Sequence, residues 1–187
     1  MKSILKLREY RSKKLHKVGK LLLKAHISAN QLTSYSLIAG LLAAYFLFDN
    51  YWLFVLFALL HLLFDGVDGV VARISGPTKW GAYFDFCTDR IVEFLVLIKL
   101  ILFLNGYYAY FVLGLFCLTT VVHLIYKTAA PLIIIRTITL ILLMIFTYPA
   151  LPYSLLLVNL ICLTAGITYV YSLVKQGQWI IKKLKKN

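Results

Sequence analysis

The chain has 187 residues, 61% of them hydrophobic and 14% charged, with a mean hydropathy of +0.84 and a formal net charge of +13. Soluble domains run about 45–50% apolar and about 25% charged, so this composition excludes a disordered chain and a secreted disulfide scaffold, and it fits a water-soluble globule poorly. Nine of the twenty Lys and Arg lie in the first 24 residues and five (Lys175, Lys182, Lys183, Lys185, Lys186) in the last thirteen, a placement that argues against nucleic acid and for a membrane protein with basic ends near anionic lipid.

Residues 1–27 predict a basic amphipathic helix lying in the membrane interface. Ile4, Leu7, Leu15, Val18, Leu22 and Ala25 fall on one stripe at about 100° per residue, with Lys and Arg around the rest. Ser28 and Gln31 then form a capping box for the first span. Apolar segments follow at 32–49, 51–73, 80–104, 106–126, 132–149 and 152–175, each long enough to cross a core of about 30 Å. Their punctuation is Asp49-Asn50, Ser75-Gly76-Pro77-Thr78, Asn105-Gly106, Ala130-Pro131 and Pro149 to Pro152.

The expected fold is therefore all-α: one polytopic domain over 1–187, with six transmembrane helices in a 28–175 core and a basic tail over 176–187. Arg73, Lys79, Lys127 and Arg136 mark the connections near 76 and 130, and the other three connections carry no Lys or Arg. The positive-inside rule then puts both termini and the 74–80 loop in the cytoplasm. Tyr51, Trp52, Tyr107, Tyr108, Tyr110, Tyr148 and Tyr153 mark one interface, and Trp80 and Trp179 the other. No cleavable signal peptide is predicted. Cys87, Cys117 and Cys162 are isolated within apolar stretches and read as small buried hydrophobes.

The informative charges are the scarce acids. Of seven Asp and Glu, five fall between residues 65 and 93: Asp65, Asp68, Asp85, Asp89 and Glu93. An ionisable side chain at a span centre costs about 2.5–3.5 kcal/mol on insertion scales, so such a cluster requires a partner. Asp65, Asp68, Gly69 and Ala72 share an arc of about 100° on one helix, and Gly81, Asp85 and Asp89 recur every fourth residue on the next. A hairpin about the 74–80 loop brings these carboxylates to one depth. An all-oxygen set suits a hard cation such as Mg²⁺, Mn²⁺ or Ca²⁺, and four carboxylates can hold two ions bridging phosphates. A proton or cation pathway is the competing explanation.

Residues 65–89, DGVDGVVARISGPTKWGAYFDFCTD, closely resemble the signature of the CDP-alcohol phosphotransferases (CDP-alcohol phosphatidyltransferases), D-x2-D-G-x2-A-R-x8-G-x3-D-x3-D. All eight fixed positions match in order, and the spacer between Arg73 and Gly81 is one residue shorter, within a loop that absorbs deletions. Residues 27–33, ISANQLT, are similar to the family's I-x-P-N-x-L-T at the first span, with Ala29 in place of proline.

The resemblance implies a membrane transferase that moves the substituted phosphate of a CDP-alcohol, commonly CDP-diacylglycerol, to an acceptor hydroxyl and releases CMP. It makes Asp65, Asp68, Asp85 and Asp89 ligands to Mg²⁺ or Mn²⁺, two ions per site, with Asp89 also the general base. Asp68, Gly69, Ala72, Arg73 and Gly81 would bind the cytidine diphosphate. A homodimer is implied as well.

Lys127 and Arg136, flanking Ala130-Pro131, are candidates for gripping the phosphate of an acceptor such as glycerol 3-phosphate or inositol phosphate, with contact to lipid headgroups as the alternative. Serine as acceptor, transfer from a CDP-aminoalcohol to diacylglycerol, and a non-enzymatic transporter or structural membrane protein are the alternatives. His61 reads as a packed core histidine, Glu93 as an ion-pair partner of Arg90 or a ligand-orienting group, and Lys99 as a snorkelling side chain.

Overall fold

The computed structural model describes residues 14–126, 133–151 and 154–185, with side chains in the second stretch from Arg136 onward. Among the described residues every regular element is a helix: α1 (14–24), α2 (Ala29–Phe46), α3 (Tyr51–Ser75), α4 (Lys79–Leu104), α5 (Tyr107–Tyr126), α6 (Ile133–Phe146) and α7 (Ser154–Leu184).

The helix ends follow local chemistry. Ser28 caps α2, its side chain accepting from the Gln31 N–H, while the Ser28 N–H donates to Gln31 Oε1 at 2.8 Å, the reciprocal box expected from the sequence. The Asn50 side chain accepts from the Leu53 N–H at the start of α3, and Thr78 Oγ1 from the Gly81 N–H at the start of α4. Asn105, in the left-handed region at φ 47°, ends α4. The segment expected to stop at 175 has no break there, and α7 runs on to a basic last turn with Lys182 and Lys183, where cations complement the helix dipole.

The predicted stripe on the leader helix is divided rather than uniform. Leu22 and Leu23 turn inward against the small core of Leu32, Val67 and Val71, and Gly19 lets α1 approach Ile74 on α3. Val18, Leu21 and Ala25 form a separate apolar face left open. Periodicity locates apolar residues, but it does not say which of two partners, protein or surroundings, each one meets. Ile4 and Leu7 of that stripe lie outside the described residues.

α2 lies along both α3 and α4, α5 packs on α7, and α6 contacts α7, α3 and α4. Close approach depends on small side chains, as it must where lipid removes the hydrophobic drive between helices. Ala39, Gly40, Ala43 and Ala44 form the inward face of α2, and a Cβ on Gly40 would collide with Val92 of α4. Phe54, Leu100, Leu140, Leu143 and Ile161 fill the centre. The α3–α4 hairpin is thus held between α2 and the α6–α7 pair.

Among the described residues three helices, α3, α5 and α7, are long and apolar enough to cross a membrane. Of the other expected spans, α2 opens on a polar turn, α4 carries the acids, and the apolar part of α6 is short. Tyr51, Trp52 and Tyr148 pack edge to face at one end of the molecule, where the Lys99–Asp49 ion pair (2.7 Å) also lies.

Candidate active site

Asp65 and Asp68 stand one turn apart near the end of α3, and Asp85 in the second turn of α4. Between them Gly76 takes φ +95°, in the region where only glycine is unstrained, and a three-residue connection, 76–78, folds the helices back on each other. One carboxylate oxygen from each of Asp65, Asp68 and Asp85 then lies within 4.8 Å of the other two. Hard divalent cations take oxygen ligands at about 2.0–2.6 Å, so oxygens at this separation can share one ion with little movement. The donor set, all carboxylate, fits a hard divalent cation and not a soft metal. The shortened spacer therefore does not keep the carboxylate of α4 from meeting those of α3.

Asp68 has a partner from a third element. The Thr33 hydroxyl of α2 donates to Asp68 Oδ2 at 2.8 Å, in a buried position. Asp65 and Asp89 are engaged from the opposite direction. Arg136 on α6 lies 2.9 Å from Asp65 Oδ1 through Nη2 and pairs through Nη1 with Asp89 Oδ1. Asp89 is outside the three-carboxylate group. Arg136 was expected beside a surface connection; in the structure it points inward and is 1% exposed. A guanidinium in low dielectric is tolerable only with carboxylates to meet it, and Asp65 and Asp89 supply them. Lys127 lies outside the described residues.

A cavity of about 470 Å³ opens beside the carboxylates, within the range of small-molecule sites. The hairpin contributes Asp68, Gly69, Ala72, Arg73, Gly81 and Asp85 to its wall, and the start of α2 contributes Asn30 and Thr33. A Cβ on Gly81 would stand 2.9 Å from Thr78 Oγ1 and 3.0 Å from Asn30 Oδ1, so the absence of a side chain keeps this wall open. The signature residues thus divide into two sets: six on the cavity, and Asp65 with Asp89 around Arg136.

The remaining buried polar groups are structural or lie behind these two sets. His61 is packed between α2 and α3, its Nδ1 2.9 Å from both Ser36 Oγ and the Ser36 carbonyl. Glu93 pairs with Arg90 at 2.7 Å and accepts from the Tyr169 hydroxyl of α7. Arg90 also lies over the Phe86 and Phe116 rings. Asn30, Thr33 and Tyr169 were not picked out from the sequence. The first two sit within ISANQLT, whose likeness to the family marked a span start rather than a site wall. Tyr169 carries no local signal except a hydroxyl on an otherwise apolar face.

The sequence model for CDP-alcohol phosphatidyltransferases matches residues 26–176, from just past α1 through most of α7. No curated protein gives a match.

Proposed function

The chain belongs to the CDP-alcohol phosphatidyltransferase family, and from that membership we propose that it transfers the phosphatidyl group of CDP-diacylglycerol to a phosphorylated polyol, glycerol 3-phosphate or an inositol phosphate, with release of CMP. One observation carries this reading: the 470 Å³ cavity is walled by six residues of the signature, and two of the three clustered carboxylates, Asp68 and Asp85, face into it.

The residues divide the chemistry between them. Gly69, Ala72 and Gly81 leave room for the cytidine diphosphate, and Arg73 offers a fixed cation to its phosphates. Asp65, Asp68 and Asp85 would hold Mg²⁺ or Mn²⁺, with Asp89 as the added ligand if two ions bind; the metal supplies charge neutralisation at the diphosphate and at departing CMP. The bond from the acceptor oxygen to the lipid-bearing phosphorus forms as the bond from that phosphorus to the CMP oxygen breaks. Asp89 takes the proton of the acceptor hydroxyl. Arg136 and Lys127 are the cations available to an acceptor phosphate, Arg136 through donors of its five-N–H fork that Asp65 and Asp89 do not use.

Because both Nη atoms of Arg136 are turned to carboxylates, an acceptor without phosphate, serine or diacylglycerol, is the second reading. In the lipid frame, α2, α4 and α6 cross along with α3, α5 and α7, making six spans. Both termini and the site then face the cytoplasm, as the distribution of Lys and Arg supports. The family resemblance supports a homodimer.

The test is CMP release by purified protein in detergent, given CDP-diacylglycerol, Mg²⁺ or Mn²⁺, and a panel of acceptors. Metal-dependent CMP appearing with one acceptor identifies the reaction. Absence of CMP with every acceptor, or Asp89→Asn turning over like wild type, overturns the mechanism. Ion flux through liposomes that Asp65→Asn abolishes, without CMP release, would indicate transport instead.

A further inference from the structure

We propose that Glu93 is a positioning residue for the transfer, acting on Asp89 through Arg136. This rests on the reading of Asp89 as the base.

Glu93, Arg136, Tyr169 and Thr139 line one small cavity of about 10 Å³, no larger than the space of a single water. Glu93 and Arg136 therefore border the same small space, each within the other's electrostatic reach. Arg136 Nε has no hydrogen-bond partner among the described residues, which leaves a buried donor on the guanidinium besides the two nitrogens given to Asp65 and Asp89. Glu93 itself is fixed from two elements, by Arg90 one turn back on α4 and by the Tyr169 hydroxyl on α7. A third carboxylate is thus held rigidly near the cation that orients Asp89.

Charge makes the arrangement consequential. Two guanidinium groups, Arg90 and Arg136, and two carboxylates, Asp89 and Glu93, share this buried region, with the half-buried Asp65 at its edge. Neutralising Glu93 removes a carboxylate from beside Arg136 and leaves that guanidinium to Asp65 and Asp89, so its pull on Asp89 strengthens. Asp89 is then drawn from the place at which it meets the acceptor hydroxyl. Small displacements of a reacting group cost heavily: about 1 Å can lower turnover on the order of a hundredfold.

The test compares wild type, Glu93→Gln, Glu93→Asp and Tyr169→Phe in the CMP-release assay, with kcat and KM separated and the Glu93→Gln change repeated in an Asp89→Asn background. Glu93→Gln is expected to lower kcat by about ten- to hundredfold with KM for the CDP-alcohol unchanged. Glu93→Asp should recover part of the loss. Tyr169→Phe, which keeps the carboxylate and removes only its hydroxyl partner, should lower kcat in the same direction and serves if Glu93→Gln does not fold. In Asp89→Asn protein, Glu93→Gln should add no further loss. A wild-type kcat in both Glu93→Gln and Tyr169→Phe, a change confined to KM, or a full further loss in the Asp89→Asn background overturns the role of Glu93 while leaving the transferase reading intact. Failure of wild type to release CMP overturns the transferase reading itself.

Discussion

The hydroxyl of Thr33 donates to Asp68 Oδ2 at 2.8 Å, so a helix with no signature acid of its own orients one wall of the carboxylate cluster. Groups behind metal ligands commonly change affinity by about 10–100-fold when removed. Thr33→Val keeps the shape and removes the donor. The activating concentration of Mn²⁺ should rise about tenfold while turnover at saturating Mn²⁺ stays near wild type; a metal titration of CMP release measures both.

Arg136 gives a prediction about stability as well as activity. Removing one partner from a buried ion pair costs about 3–5 kcal/mol, because the other charge is left without compensation. Arg136→Met would leave Asp65 and Asp89 in that state, so thermal unfolding in detergent should drop markedly and activity should be lost. Arg136→Lys retains the charge but replaces a planar fork with a single ammonium; it should fold better than Arg136→Met and remain strongly impaired. If Arg136 met only an acceptor's phosphate, both variants would unfold at the wild-type temperature.

Two glycines should respond to alanine in different ways. At Gly81 the new methyl meets Thr78 Oγ1 and Asn30 Oδ1 on the cavity wall, so Gly81→Ala should raise KM for the CDP-alcohol with little change in stability. At Gly40 it meets Val92 and His61 between three helices. Gly40→Ala should cost about 1–3 kcal/mol of stability by overpacking, with KM unchanged in the protein that folds. Steady-state kinetics beside thermal unfolding separates the two cases.

The Lys99–Asp49 pair lies at the other end of the molecule, and Asp49 is mostly exposed. Exposed pairs contribute roughly 0–1 kcal/mol. Asp49→Asn should therefore leave CMP release unchanged and shift thermal unfolding by no more than a small amount.

Much of this is legible in the amino-acid sequence. Ser28 with Gln31, the turns at 50, 76 and 105, and the convergence of Asp65, Asp68 and Asp85 all follow from short-range rules: a cap, a punctuating residue, a helical repeat folded over a short loop. What escaped depends on how helices rotate against partners distant in sequence. Arg136 could be placed beside a connection but not turned inward, because that orientation is set by Asp65 and Asp89 on two other helices. Tyr169 is 76 residues from Glu93, and nothing nearby in the chain announces their meeting. Likewise, α1 has two apolar faces with different neighbours, and a single hydrophobic stripe merges them.

The three-residue connection at 76–78 has a consequence for the order in which the site is assembled. Asp65, Asp68 and Asp85 belong to one hairpin and can come together as soon as α3 and α4 exist side by side, at the modest entropic cost of a short closure. Arg136 arrives later in synthesis, 47 residues beyond Asp89. A nascent chain ending before α6 thus already has the means to gather a divalent ion, but not yet the cation that holds Asp89 in place. The gathering of the three carboxylates and the pairing of Asp89 with Arg136 are separate stages in the life of this polypeptide.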